Sequence, residues 1–151
     1  MAKGFMGKIL RVDLSRGKVT EEPLDSRIAT QYLGGAGYGA RVLYNEVPPT
    51  VDPLGPENKL IFMTGPMTAT RFPTTARYVV VTKSPLKDIM VNGSSSGYWG
   101  MEFKNTGHDG IIIEGRSPKP VYLFIKDDQV EIKDASNLWG EDALATQDLI
   151  R

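Results

Sequence analysis

The stretch "KILRVDLSRGKVTEE", Lys8 to Glu22, alternates aliphatic and charged residues in its first half. Leu10, Val12 and Leu14 recur at every second position, a period that is typical of a half-buried strand. The segment "SRG" predicts a turn, and the residues from Lys18 onwards predict the returning strand. The sequence therefore predicts a β-hairpin close to the start of the chain.

A second predicted hairpin, near the other end of the chain, repeats this spacing. The strand-like segments "PVYLFIK" and "QVEIKD" meet at Asp127 and Asp128, which are interpreted as solvated turn residues. Three aliphatic positions match those of the first hairpin, because Val12, Leu14 and Val19 correspond in spacing to Leu123, Ile125 and Val130. Three matches can arise by chance, so the repeated spacing is weak evidence for a duplicated hairpin-plus-helix unit.

The sequence between the hairpins predicts a mixture of helices and strands. A helix with Ser26 as its N-cap is followed by a glycine-rich interruption and a second helical piece. "LIFMTGP", "RYVVVTKSP" and "DGIIIEG" predict buried strands. We expect "NGSSSG" to be a loop, and "GYWGMEFKNTG" to be a short helix with Tyr98, Met101 and Phe103 partly facing the core.

The last segment of the sequence predicts a helix that begins at Asn137 as N-cap and places Leu138, Ala145 and Leu149 on one face. The pattern stops at Arg151 without a glycine C-cap or a returning segment. We therefore expect that the chain is cut from a longer protein and that the second copy of the hairpin unit is incomplete.

Composition excludes several classes of function. A chain of 151 residues fits one domain, and its 18 basic and 18 acidic residues cancel, so no overall charge favours nucleic acid or an anionic membrane. The chain has no cysteine, which excludes a thiolate zinc site or a cysteine-ligated cluster within it. The sequence shows neither a signal peptide nor a long apolar run, so we expect a cytoplasmic protein.

Two motifs are better explained by structure than by ligand binding. "GAGYGA", Gly35 to Ala40, formally matches a dinucleotide-binding fingerprint, but the residues before it look helical and no suitable acid follows. We expect these glycines to let a helix pack closely on a sheet. His108 has no second histidine or cysteine at ligand spacing, so it is interpreted as a hydrogen-bonded turn residue.

Arg77 and residues 92–97 are better candidates for a binding site. Arg77 follows the small residues "PTTA" and precedes a valine-rich strand, an arrangement suited to recognition of a phosphate or carboxylate. A surface arginine paired with an acid stays open as the alternative. The segment "NGSSSG" offers backbone N–H groups and hydroxyls without bulk, which suits a polyanionic ligand, although a flexible loop would have the same composition.

Long, collinear blocks of the sequence carry a resemblance to a known family. They include "YLGGAGYGARVLYNEVPPTVDPLGPENKLIFMTGPMT", "RYVVVTKSPL", "SGYWGMEFKNTGHDGIIIEG" and "EIKDASNLWG". Across residues 1–151 the chain resembles the N-terminal domain of the aldehyde:ferredoxin oxidoreductase family, tungsten-containing enzymes with a bis-pyranopterin cofactor. The resemblance implies an α+β fold in which a duplicated sheet-plus-helix unit forms a two-sheet saddle for the cofactor, with the second copy truncated here.

The resemblance also implies cofactor-binding residues. Arg77 matches an arginine that contacts the pterin and lies toward the iron-sulfur cluster. Ser94 and Ser96 match positions that bind the pterin phosphate region, with backbone groups supplied by Gly93, Ser95 and Gly97.

The magnesium contact is where this chain departs from the family pattern. The family has Asn-Ser-Gly-Gly where this chain has Ser94 to Gly97, and the asparagine helps to hold a magnesium ion that bridges the two pterin phosphates. The resemblance therefore makes Ser94 the magnesium contact, through its shorter side chain or a water, with Asn92 as the alternative.

The activity implied by the resemblance belongs to a longer parent protein. That parent would oxidise an aldehyde to a carboxylic acid at tungsten or molybdenum and pass electrons through a 4Fe-4S cluster to ferredoxin. The cluster ligands and catalytic residues would lie beyond Arg151, so this chain alone is expected to be inactive. A non-catalytic paralogue or interaction module on the same fold is the alternative, and a homodimer stays open.

Overall fold

The structure is a computed structural model that describes residues 3–150, and within them it forms an α+β fold. The helices and strands follow the chain as β1 (Lys8–Asp13), β2 (Lys18–Pro23), α1 (Ser26–Tyr32), α2 (Gly35–Glu46), β3 (Lys59–Thr64), β4 (Tyr78–Lys83), β5 (Met90–Ser95), α3 (Tyr98–Asn105), β6 (Gly110–Glu114), β7 (Val121–Lys126), β8 (Gln129–Asp134) and α4 (Ala143–Ile150).

Six strands form one mixed sheet in the order β2-β1-β6-β3-β4-β5. Strands β1 and β6 are parallel, and all other neighbours in this sheet are antiparallel. The two remaining strands, β7 and β8, form a separate antiparallel hairpin. The predicted α+β class and the first hairpin are therefore confirmed.

The central strands of the six-stranded sheet are covered on both faces, which explains why neighbouring residues such as Ile9 and Leu10 are both buried. One face packs against α1 and α2, and its core includes Ile9, Tyr38, Val42, Leu43, Ile61, Met63, Val81 and Ile112. The other face packs against α3 and the β7–β8 hairpin, and its core includes Leu10, Val12, Phe103 and Ile111. Burial on both faces is the reason that β6 reads as a continuous aliphatic run rather than an alternating one.

The predicted helix, interruption and second helix are present, but most of the glycine-rich segment belongs to the second helix. The interruption is confined to Leu33 and Gly34, which both have positive φ, and α2 begins at Gly35. A Cβ built on Gly39 would lie 2.7 Å from Val81 Cγ2, closer than side-chain carbons approach each other. Close packing of α2 on β4 therefore requires a glycine here, as the sequence predicted.

Gly39→Ala is expected to destabilise the protein by about 1–3 kcal/mol, because the stiff Val81 side chain has to move to admit the methyl group. Urea unfolding measures the change. In a Val81→Ala background the same substitution should cost much less, since the obstructing methyl groups are gone. A neutral or stabilising Gly39→Ala in the wild-type background would contradict the close approach.

The helix ends differ from the predicted ones in two places. Asp25, rather than Ser26, caps α1, because its carboxylate accepts hydrogen bonds from the N–H groups of Arg27 and Ile28. The last helix begins at Ala143, not at Asn137, and the Asp142 carboxylate accepts from the first-turn N–H groups. Residues 136–140 instead form turns that end at Gly140, whose φ is +91°. The predicted end at Arg151 lies outside the described residues.

Both predicted hairpins are present, but their pairing differs. Val12 pairs with Val19 across the first hairpin, whereas Leu123 pairs with Ile132 across the second. The second hairpin turns directly at Asp127 and Asp128, as predicted, and Asp127 has a φ of +52°. The matched positions of the two hairpins are therefore not matched in register, and the duplicated saddle stays a prediction.

No helix within residues 3–150 is long and apolar enough to span a bilayer.

Candidate cofactor-binding surface

Arg77 and the segment 92–97 meet at one end of the edge strand β5. Strand β5 pairs with β4, so that Val79 lies beside Ser94 and Tyr78 lies beside Ser95. Continuing this register by one residue places Ser96 level with Arg77. Two segments that the sequence singled out separately are thus neighbours in space.

The segment "NGSSSG" is not the loop that the sequence predicted, since Met90–Ser95 form β5. Alternation along a strand places Asn92 and Ser94 on the α2 face of the sheet, and Ser95 on the opposite face. All six residues of β5 are exposed, and a Cβ added at Gly93 would meet no atom within 4 Å. The strand therefore presents two polar side chains on the α2 face and an open backbone edge.

A cleft of about 310 Å³ lies on the α2 face beside this edge. Met63 and Val79 line it from the sheet, Gly35 lines it from the start of α2, and Arg77 lines it from the position just before β4. The N-cap of α2, Gly34, has no side chain to accept hydrogen bonds from the first-turn N–H groups. Three threonines of the β3–β4 loop, Thr68, Thr74 and Thr75, also line the cleft, and none of its lining residues in the described chain is acidic.

The donors at this surface fit an anionic group. Arg77 is exposed, and within residues 3–150 its guanidinium makes no hydrogen bond or ion pair. The surroundings offer hydroxyls at Ser94 and Ser96 and free backbone groups along β5. Unpaired N–H groups, hydroxyls and a guanidinium together are the donor set that proteins use for phosphates.

A buried ion pair lies beneath the start of the β3–β4 loop. Lys104 is 3% exposed and Asp109 is 0% exposed, and Lys104 Nζ lies 3.5 Å from Asp109 Oδ1. Burial lowers the pKa of Lys104, and the charge of Asp109 opposes that change. Lys104 also donates to the carbonyls of Gly4 and Gly65, while Asp109 accepts from the N–H groups of Met6 and Gly7. The pair thus ties the start of the chain to the loop that leads to Arg77.

The aromatic residues after the glycines have unequal roles. Tyr98, which the sequence placed partly in the core, is 80% exposed. Trp99 is the packed ring of the pair, with its centroid 4.4 Å from that of Tyr78 and 5.3 Å from that of Phe103. Gly97 has a φ of +107° and is the N-cap of α3, so the chain turns sharply from β5 into this aromatic cluster.

His108 is a hydrogen-bonded residue, as predicted. It is buried, its Nδ1 lies 3.0 Å from Thr106 Oγ1, and its Nε2 lies 3.0 Å from Glu21 Oε1. Sequence reasoning missed its neighbour Asp109, together with Lys104 and the cleft-lining Thr68. The segment "TGPMT", which begins at the last residue of β3, carried a turn signal that marks the start of this loop, but nothing local indicated the buried partners.

Comparison with known proteins identifies the family. The family model described as "Aldehyde ferredoxin oxidoreductase, N-terminal domain" matches residues 9–151. The chain belongs to this family. The resemblance found in the sequence is thereby confirmed.

Several curated relatives are similar to this family member over most of its length. The tungsten-containing aldehyde ferredoxin oxidoreductase of Pyrococcus horikoshii is 47% identical over 148 residues, which are 98% of this chain and 24% of the relative. The protein of the same name from Pyrococcus abyssi is 51% identical over 138 residues, 91% of this chain and 23% of the relative. The WOR-like subunit of an aliphatic sulfonate oxidoreductase from Pyrococcus furiosus is 42% identical over 139 residues, 90% of this chain and 22% of that subunit.

A solved structure shares the fold of this aldehyde ferredoxin oxidoreductase N-terminal domain. It is the active site complex BamBC of benzoyl coenzyme A reductase with 1,5-dienoyl-CoA, with a TM-score of 0.96 and 41% identity. The match covers 99% of this chain and 23% of that chain. The present chain spans about a quarter of the length of the relatives it matches.

Proposed function

We propose that this chain is the cofactor-binding N-terminal domain of an oxidoreductase that oxidises aldehydes to carboxylic acids with a tungsten or molybdenum bis-pyranopterin. The single observation that supports it most is the convergence of Arg77 with Ser94 and Ser96 at one sheet end, beside a cleft without acids. The relatives named as tungsten-containing aldehyde ferredoxin oxidoreductases support the same reaction class.

In this proposal each group at the surface has a distinct task. Ser94, Ser96 and the open backbone from Gly93 to Gly97 hold the pterin phosphate region. Arg77 lies against the pterin, where its planar guanidinium can pair with an anion or stack on a planar ring. The cofactor, when bound, supplies the metal-centred oxidation chemistry, and this domain contributes binding and orientation.

The α2 face is also where a magnesium ion would be held. Asn92 and Ser94 lie two residues apart on that face, so both can contribute an oxygen on the same side of the sheet. Magnesium prefers oxygen ligands and keeps several waters, which suits a short serine side chain that reaches the ion through a water. Asn92 is the residue that can take over direct contact.

The remaining parts of the proposal concern the longer protein. We expect a 4Fe-4S cluster bound by other regions, ferredoxin as the electron acceptor and a cytoplasmic location. A second candidate reaction is reduction of an aromatic coenzyme A thioester, since the benzoyl coenzyme A reductase chain has the same fold at 41% identity. Aldehyde oxidation is preferred because relatives of that name are more similar to this chain, at 47% and 51% identity.

Metal analysis of the protein as its gene encodes it, expressed with tungstate and in parallel with molybdate, tests the proposal. We expect close to one tungsten or molybdenum atom and two pterins for each protein, and dye reduction that depends on an added aldehyde. A well-folded protein without either metal would contradict the proposed oxidoreductase function and favour a non-catalytic paralogue. Metal-loaded protein that reacts only with a coenzyme A thioester would favour the second candidate.

A further inference from the structure

Thr68 occupies an unusual place at the base of the β3–β4 loop. The β3–β4 pairing ends at Thr64 and Tyr78, and the next residues on the two sides are Gly65 and Arg77. Both of these bond to the Thr68 side chain: the Gly65 N–H donates to Thr68 Oγ1 at 3.2 Å, and Thr68 Oγ1 donates to the Arg77 carbonyl at 3.0 Å. The Thr68 hydroxyl thus bridges the first two residues beyond the last β3–β4 backbone pair.

The backbone of Thr68 is also hydrogen-bonded. Thr68 is 5% exposed, and its own N–H donates to the Gly65 carbonyl at 3.2 Å. The same carbonyl accepts from buried Lys104, which is paired with Asp109. A continuous set of hydrogen bonds therefore runs from the buried ion pair through Gly65 and Thr68 to the backbone of Arg77.

The consequence for Arg77 is a fixed backbone with a free side chain. Its carbonyl is bonded to Thr68, while its exposed guanidinium has no hydrogen-bond or ion-pair partner in residues 3–150. Both residues line the same cleft. Holding the backbone in advance reduces the entropy that a bound state would otherwise lose, which strengthens binding without any direct contact from Thr68.

We infer that Thr68 is a positioning residue for cofactor binding, acting through the backbone of Arg77; this inference rests on the proposed function. Thr68→Val keeps the shape of the side chain but removes the hydroxyl that both accepts and donates. Loss of these hydrogen bonds is expected to speed release of the cofactor about fivefold. Thr68→Ser retains the hydroxyl and should restore slow release.

The test uses the tungsten-loaded protein as its gene encodes it, and measures the rate at which tungsten passes into the filtrate at a fixed temperature. Thr70→Val is the matched control, because the Thr70 hydroxyl donates to the Met67 carbonyl in the same loop but does not bond to Arg77. We expect Thr68→Val to lose tungsten about fivefold faster than wild type, and Thr68→Ser and Thr70→Val to stay within about twofold. Equal loss from Thr68→Val and wild type, or from the two valine variants, overturns the inference.

A double-mutant cycle separates positioning from general loosening of the fold. If Thr68 acts through Arg77, Thr68→Val should add less than about twofold in an Arg77→Ala background. A full fivefold effect in that background overturns the inference. Should Thr68→Val fold poorly, shown by a lower Tm of the metal-free protein, the smaller Thr68→Ala replaces it in the same cycle. Wild-type protein without tungsten or molybdenum overturns the proposed function and this inference together, whereas an unaffected Thr68 variant of loaded protein overturns this inference alone.

Discussion

Asp109→Ala is expected to lower the free energy of unfolding by about 3–5 kcal/mol, because it leaves the buried Lys104 charge without its partner. The substitution also removes the acceptor of the Met6 and Gly7 N–H groups, at 3.1 and 2.7 Å. Urea unfolding at neutral pH measures the loss. Asp148→Ala, on the exposed side of α4, is a control that should change stability by less than about 0.5 kcal/mol.

The pH dependence of this variant gives a second, independent result. The pKa of Lys104 in the folded protein is lowered from its ordinary value of 10.5, mainly by burial, so the unfolded chain binds more protons in the window below 10.5. Stability linked to Lys104 therefore rises with pH through that window. Without Asp109 this dependence should be steeper, and the deficit relative to wild type should shrink between neutral pH and pH 10. A deficit that is the same across this range would show that Lys104 is not its cause.

Arg77→Ala is expected to reduce the tungsten content of the purified protein, or speed its loss, at least tenfold, because a charge-assisted contact made by the guanidinium is removed. Its stability without metal should change by less than about 0.5 kcal/mol, since the side chain has no partner within residues 3–150. Tungsten analysis and thermal unfolding of the same samples measure the two quantities.

Two further variants sharpen the Arg77 result. Arg71→Ala removes an exposed arginine from the same loop and should keep its tungsten. Arg77→Lys keeps the charge but not the planar fork, so an intermediate tungsten content is expected. Unchanged metal content and turnover in Arg77→Ala would contradict a role in cofactor binding and support the alternative that Arg77 is a surface arginine.

Strands β1 and β4 were predictable from their local patterns, whereas strand β5 was not. Strand β4 has three consecutive valines, and β1 alternates from Leu10 onwards, so each is recognisable alone. Strand β5 has glycine, serine and asparagine, which disfavour strands, and all six residues are exposed, so no period of two appears. It is a strand because the edge of β4 pairs with it, and that partner lies outside its own sequence.

The candidate site was predictable in its parts but not in its arrangement. Arg77 and the serine segment could be singled out by residue type, whereas their adjacency depends on the β4–β5 register. Thr68, Lys104 and Asp109 acquire their roles only through partners that are distant in sequence, such as Gly4 with Lys104 and Met6 with Asp109. Burial of a polar side chain with a satisfied partner is a property of the folded chain, so no local pattern marks it.

A crystal structure of the metal-loaded protein tests the central claim most directly. Pterin phosphate oxygens are expected at hydrogen-bond distance, about 3 Å, from Ser94, Ser96 or the backbone N–H groups of Gly93 to Gly97, with the Arg77 guanidinium against the pterin. A cofactor bound elsewhere, with Arg77 and the β5 edge facing solvent or another part of the protein, would contradict it.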